Sequence, residues 1–214
     1  MFRDRSEAGQ LLAGKLARYA DSKETVVLAL PRGGVPVAFE IARKLHLPLD
    51  ILLVRKLGVP GQAELAMGAI AAGGIRVLDR VMIRQLGITE EELASAISEE
   101  ERELRRREEI YRNCRSSEMM SRQNAIVVDD GIATGSTMLA AIQILQSQQQ
   151  AKIIVAVPVA PPHAQREVEA VAHEFACLIL SEYFPAVGSF YRDFSQLDDE
   201  EVCRLLTIAA MREP

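Results

Sequence analysis

Residues 125–142 read AIVVDDGIATGSTMLAAI, and the order of residue types in this stretch decides the fold. Ala125 to Val128 is a run of small and β-branched residues bounded by charge, which suits a buried strand of a parallel sheet. Two aspartates, Asp129 and Asp130, end the run. A turn through Gly131, Ala133, Thr134, Gly135, Ser136 and Thr137 follows. From Thr134 the pattern changes, and Met138, Leu139, Ile142 and Leu145 fall on one helical face. The segment therefore runs strand, acidic pair, hydroxyl-rich turn, helix N-terminus.

That order has a chemical use. The first turn of a helix leaves backbone N–H groups without partners, and the macrodipole adds partial positive charge there. Gly135 permits close backbone approach, while Thr134, Ser136 and Thr137 add hydroxyl donors, so the turn can hold a phosphate. Ionised Asp129 and Asp130 only accept hydrogen bonds, which suits sugar hydroxyls or a hydrated divalent cation. The combination asks for a sugar phosphate. A Walker A loop would need a lysine after Gly135, where Ser136 stands, and the G-x-G-x-x-G dinucleotide fingerprint is absent from the turn. A plain turn with Thr134 or Ser136 as helix cap would use one hydroxyl and one glycine, and would leave the two carboxylates unexplained.

The rest of the chain alternates strands and helices. Thr25 to Leu30 reads as a strand leading into PRGG (Pro31–Gly34) and a helix with Val37, Ile41 and Leu45 on one stripe. Asp50 to Val54 is a second buried strand. The Gly-rich span Arg55 to Gly74 reads as a mobile loop followed by a β-hairpin, with Gly73-Gly74 as the turn before Ile75 to Leu78. Thr89 to Arg112 reads as a charged helix: Thr89 with Glu92 resembles a capping box, and Leu93, Ile97, Leu104 and Tyr111 form a thin apolar seam. Its Arg105-Arg106-Arg107 run reads as a solvated face. Strands at Ile153–Val157 and Ala176–Leu180 flank a helix at Ala164–Ala172, and helices close both ends at Ser6–Ala20, capped by Ser6, and Asp198–Ala209. This alternation means a parallel α/β sheet with ligands at the carboxyl ends of its strands.

Bulk properties exclude several classes. With 214 residues, one domain with an elaboration is expected. A formal charge of -5 argues against a protein built around nucleic-acid phosphates. No apolar run approaches the ~20 residues of a membrane helix, and MFRDRSEAGQ lacks the apolar stretch of a signal peptide. Cys114, Cys177 and Cys203 are scattered and odd in number, so neither a zinc site nor a disulfide framework is indicated, and a cytoplasmic setting is expected.

The motif VVDDGIATGSTM (Val127–Met138) strongly resembles the phosphoribosyl diphosphate (PRPP) motif of type I phosphoribosyltransferases. LPRGG (Leu30–Gly34) resembles the family's pyrophosphate loop, and VRKLGVPGQ (Val54–Gln62) the start of its flexible catalytic loop. The resemblance spans about Thr25 to Arg192, with the long insertion and aromatic C-terminal segment looking like a bacterial branch. It implies an α/β fold with a central parallel sheet flanked by helices, a flexible β-hairpin loop, a helical insertion and a small hood. The whole of 1–214 is then one phosphoribosyltransferase domain: core about 25–182, hood or accessory parts from 1–24 and 183–214, and flexible loop with helical insertion at 55–122.

The resemblance further implies a Mg²⁺-dependent pentosyl transfer, in which a nitrogenous base replaces the pyrophosphate of PRPP as in nucleotide salvage. Asp129 and Asp130 would hold the ribose hydroxyls, directly or through Mg²⁺ and water, and Ala133, Thr134, Gly135, Ser136 and Thr137 the 5′-phosphate. Arg32, Gly33 and Gly34 would meet the pyrophosphate, and Lys56 with Arg55 would neutralise it on departure, so Asp129, Asp130, Lys56 and Arg32 form the expected catalytic set. Phe184 or Phe190, in EYFPAVGSFYRDF, would stack on the base. Ala133 stands where hypoxanthine–guanine enzymes carry an acid, and PVAPPH (Pro158–His163) lacks their lysine, so an adenine-like purine is favoured over a 6-oxopurine. Expected partners are PRPP, a nucleobase or similar nitrogenous acceptor, and a second copy in a homodimer, with no nucleic acid and no membrane. A regulatory protein that senses PRPP without turnover is the alternative.

Overall fold

The computed structural model describes residues 1–111, 114 and 123–211. The strand before the acidic pair, β6 (Asn124–Val128), lies at the centre of a five-stranded parallel sheet. Its neighbours are β1 (Thr25–Ala29) on one side and β7 (Lys152–Ala160) on the other. Beyond them, β2 (Leu49–Ile51) and β8 (Glu174–Leu180) complete the order β2-β1-β6-β7-β8. Alternation along β6 explains its sequence. Ala125 and Val127 enter the core on one face, Ile126 and Val128 enter it on the other, and all four are fully buried. A strand covered on both sides has no polar face to display.

One face is covered by α1 (Arg5–Lys15) and α2 (Gly34–Leu45), with the closing helix α7 (Asp199–Ala210) beside them. The other is covered by α5 (Ser136–Ser147) and α6 (Pro162–Glu169). On α2 the stripe Val37, Ile41, Leu45 is buried as its spacing requires. At the N-terminus the cap is Asp4, whose side chain accepts from the Glu7 N–H, rather than Ser6; the helix starts at Arg5 and breaks into a 3₁₀ turn at Ala17–Tyr19.

The expected hairpin about Gly73-Gly74 forms, but the stretch before it is strand rather than loop. It folds as β3 (Val54–Val59) and β4 (Gln62–Ala71), paired antiparallel, with β5 (Ile75–Leu78) added to β4 after the Gly73-Gly74 turn. Periodicity in it is hard to read because bulges at Leu57–Val59 shift the pairing, and small residues fill both faces. A short α3 (Arg80–Gln85) follows, and then α4 (Glu90–Tyr111) seals this second sheet with its seam of Leu93, Ile97, Leu104 and Tyr111, all buried. The Thr89–Glu92 capping box forms in both directions, at 2.9 Å and 3.2 Å. Glu103 bonds Arg107 at 2.8 Å, and Glu101 faces Arg105 at 3.6 Å. Residues 112, 113 and 115–122 of the expected insertion lie outside the described set.

One reading of the cysteines is corrected. Cys114 and Cys203 are disulfide-bonded, joining the segment after α4 to α7 across 89 residues of sequence. Only the tertiary contact of α7 with α4 brings them together, so no spacing rule could reveal the pair. Cys177 stays a free thiol in β8, where burial raises its pKa to about 11. No helix among the described residues is long and apolar enough to cross a membrane.

With a pKa near 11, the Cys177 thiolate fraction at pH 8 is on the order of 10⁻³, against roughly a quarter for an unperturbed thiol. Alkylation of the native protein by iodoacetamide, followed by mass spectrometry, should therefore be slow at Cys177 and still accelerating between pH 9 and 11. A rate that levels off near pH 9 would contradict the burial.

Candidate active site

Two loops meet at the carboxyl edge of the sheet. The loop after β1 returns over the end of β6: the Leu30 N–H donates to the Val128 carbonyl at 2.8 Å, and the Pro31–Arg32 peptide in this loop is cis. The approach is tight enough to require glycine twice. A Cβ on Gly34 would stand 2.5 Å from the Val128 carbonyl oxygen and 2.9 Å from Asp129 Cα; one on Gly33 would stand 2.1 Å from Asp130 Oδ2. Gly33 and Gly34 are thus juxtaposed with Asp129 and Asp130, as the motifs imply.

The acidic pair sits in an environment that resists charge. Burial, then the neighbouring Asp130 carboxylate, push the Asp129 carboxyl well above the usual range. Burial also raises Asp130, with Arg5 pulling in the opposite direction. Asp129 Oδ1 accepts the Asp130 N–H at 2.8 Å, and Asp130 Oδ2 accepts from Arg5 Nε at 2.8 Å. Tyr191 donates its hydroxyl to the Asp130 carbonyl at 2.6 Å.

The turn that follows is pinned at its start and open at its end. Ile132 donates to the Val159 carbonyl at 2.9 Å, and Val187 lies over Gly131, whose added Cβ would meet it at 2.6 Å. Gly135 takes φ 80° at the N-cap of α5, and no side chain caps the helix. The Thr134 and Ser136 hydroxyls bond each other at 2.9 Å rather than the helix amides. The plain-cap reading therefore fails. Ala133, Thr134 and Thr137 are exposed at the mouth.

A cavity of about 890 Å³ opens beside this turn. Thr134, Ser136 and Thr137 form one wall, Leu30, Pro31, Leu52 and Leu53 the floor, and Arg55 and Lys56 of β3 the far side. The fourth wall is α4, from Glu92 to Arg107, which sequence reasoning did not bring to the site. Arg107 lines the cavity rather than joining the solvated face of Arg105 and Arg106. Asp129, Asp130, Arg32, Gly33 and Gly34 are not among the lining residues; they adjoin it through Pro31 and Thr134. Two of the expected pyrophosphate cations are engaged by the protein's own acids and carbonyls. Arg32 donates to the Leu197 carbonyl at 2.8 Å and faces Asp199 at 3.3 Å, and Arg55 is bonded to Glu100 at 2.5 Å.

The aromatic residues form a separate small cluster. Phe184 and Phe190 pack on each other with centroids 5.0 Å apart, next to Phe2, Val159 and Tyr191. Neither lines the cavity, while Tyr183 beside them is 82% exposed. His163 is at the surface.

Comparison with known proteins now bears on this geometry. The phosphoribosyl transferase domain model matches residues 5–194. The chain belongs to the phosphoribosyl transferase family. A Mycobacterium tuberculosis protein named as a phosphoribosyl transferase is 44% identical over 206 residues, covering 96% of this chain and 46% of the relative. The chain thus spans about half the length of the curated relatives it matches. The crystal structure of TT1426 from Thermus thermophilus superposes with a TM-score of 0.90 at 41% identity, covering 97% of this chain and 98% of that one. The matched region begins at Arg5, which bonds Asp130, and ends at Phe194, whose ring lies against the Arg5 guanidinium.

Gly34→Ala should cost about 1–3 kcal/mol of stability, because its Cβ meets backbone atoms that can yield only by moving β6. Gly33→Ala meets a side-chain tip, so its effect should fall on the orientation of Asp130 with a smaller loss of stability. Urea denaturation of both variants checks the order; a milder Gly34 variant would contradict the packing described.

Proposed function

We propose that this family member transfers the phosphoribosyl group of PRPP to a nitrogenous base. The observation that carries the reading is the uncapped start of α5 immediately after a carboxylate pair, with a glycine loop packed against that pair. The 5′-phosphate would bind the free amides and hydroxyls from Ala133 to Thr137. Asp129 and Asp130 would accept hydrogen bonds from the ribose hydroxyls. Gly33 and Gly34 would admit the pyrophosphate close to the main chain. Arg32, Arg55 and Lys56 would take up its negative charge as the bond to the anomeric carbon breaks. No protein nucleophile is needed for such a step; the work is positioning, charge screening and exclusion of water. The α4 wall would serve the last purpose.

The donor set limits how Mg²⁺ would enter. No group of three or more His, Cys, Asp or Glu among the described residues is arranged to hold a metal ion, and one oxygen of Asp130 is committed to Arg5. Asp129 and Asp130 would hold the ion, directly or through water, and it would supply charge neutralisation for the leaving group. The finer expectations belong to this reading as well: an adenine-like acceptor, stacking by Phe184 or Phe190, a cytoplasmic setting and a homodimer.

A second reading is favoured by one observation. Arg32 and Arg55 are held by Asp199, the Leu197 carbonyl and Glu100. A protein that senses PRPP without turning it over would not need to release them.

Protein, PRPP and Mg²⁺ incubated with a panel of bases, with pyrophosphate release followed, separates the two. Release with one base establishes the transferase and its acceptor; PRPP binding without release for any base favours the sensor. Asp129→Asn with Asp130→Asn should weaken PRPP binding more than about tenfold in calorimetry, since hydrogen bonds to charged groups contribute ~1.5–3 kcal/mol. Undiminished affinity in the double variant rules out the assigned roles. Mg²⁺ titrated without PRPP should give no saturable binding in the millimolar range.

A further inference from the structure

The chain's first helix reaches the site from the opposite end of the sequence. Arg5 and Asp130 form the one ion pair among the described residues in which both side chains are nearly buried, 11% and 13% exposed. Arg5 is held on three sides. Its Nε donates to Asp130 Oδ2 at 2.8 Å, its Nη1 donates to the Ser195 carbonyl at 3.0 Å, and its guanidinium lies 3.8 Å from the Phe194 ring centroid. The segments that present it are themselves zipped together. Phe2 donates to the Phe190 carbonyl at 2.7 Å, Arg192 donates to the Phe2 carbonyl at 2.8 Å, and Asp193 donates to the Arg3 carbonyl at 2.9 Å. The Asp130 carboxylate is therefore confined between a guanidinium fixed by the tail and the main chain of Gly33.

We propose that Arg5 is a positioning residue of the pentose site: it fixes the Asp130 carboxylate so that the ribose 2-hydroxyl meets an oriented acceptor. The proposal rests on the assignment of Asp129 and Asp130 to the ribose hydroxyls. A residue whose purpose is to anchor α1 gains nothing by ending on the acid beside a ligand turn, and its loss would weaken every ligand alike. A residue that orients Asp130 has a narrower effect, because only ligands carrying the hydroxyl depend on it. Arginine suits the role because its planar fork grips the carboxylate and the Ser195 carbonyl at once, which a lysine ammonium does with less directional control.

The test compares ribose 5-phosphate with 2-deoxyribose 5-phosphate in wild type, Arg5→Gln and Arg5→Lys, by calorimetry, with circular dichroism to check the fold. Wild type should bind the ribose form at least about tenfold more tightly, the value of one hydrogen bond to a charged acceptor. In Arg5→Gln that ratio should fall to within about threefold of unity, with the affinity for the deoxy form changed less than about twofold. Arg5→Lys should restore part of the ratio. If removing one partner of the buried pair prevents Arg5→Gln from folding, Arg5→Lys carries the test, and its ratio should still drop at least about threefold. A folded variant that keeps the wild-type ratio, or that loses both ligands in parallel, overturns the proposal. Wild type binding neither sugar phosphate would defeat the underlying site assignment as well, and wild type binding both equally would remove the hydroxyl role on which Arg5 is argued to act.

Discussion

Everything at the carboxyl edge of the sheet depends on how closely the loop after β1 lies on the end of β6. Parallel pairing brings the two strand ends together in register, Ala29 beside Val128, and the Leu30 N–H closes the join. The glycines that follow leave no room for a side chain between the loops. That contact places an amide-rich bend from one connection against two carboxylates from another. It also makes the distance between them a property of the sheet, not of a mobile loop. The resulting site faces a cavity whose opposite wall comes from a separate antiparallel sheet and the helix that seals it.

The charges at this edge are arranged in opposed pairs. Arg5 meets Asp130, Arg32 meets Asp199 and Arg55 meets Glu100, each joining a residue of the Val127–Met138, Leu30–Gly34 or Val54–Gln62 segment to an element outside it. Of the three, the Arg5–Asp130 pair is the one nearly buried, and there pairing offsets part of the cost of holding charge away from water. Asp199 also accepts from the Tyr111 hydroxyl, so the end of α4, the start of α7 and Arg32 form one polar junction, and the Cys114–Cys203 bond lies one turn further along α7. The helical insertion is thereby fixed to both the cavity and the tail.

Much of this was legible in the residues. Burial on both faces made the strand at Ala125–Val128 unmistakable, the 3.6-residue stripe of Val37, Ile41 and Leu45 gave α2, and the capping box with its thin seam gave α4. Other parts followed from contacts that leave no local trace. Arg5 sits in a stretch of mixed charge that looks like any exposed N-terminus, and its partner is 125 residues away. The β3–β4 hairpin escaped a period-2 reading because bulges and small residues obscure it. The Arg105–Arg107 run looks uniform in sequence, yet its third member faces the cavity because of how α4 is rotated on the sheet. The aromatic segment was visible as a cluster, but not that Phe184 and Phe190 would pack on each other away from the cavity. The pairing of Cys114 with Cys203 required the tertiary fold.

The central claim is that the open start of α5 and the two acids before it grip a phosphorylated pentose together. The most direct measurement is a ¹⁵N-detected titration of the labelled protein with ribose 5-phosphate, followed at the amides of Gly135, Ser136 and Thr137 and at those of Asp129 and Asp130. The account predicts saturable shifts at both groups with one shared dissociation constant. Shifts confined to surface arginines and lysines, with the turn and the acidic pair unmoved at saturation, would contradict it.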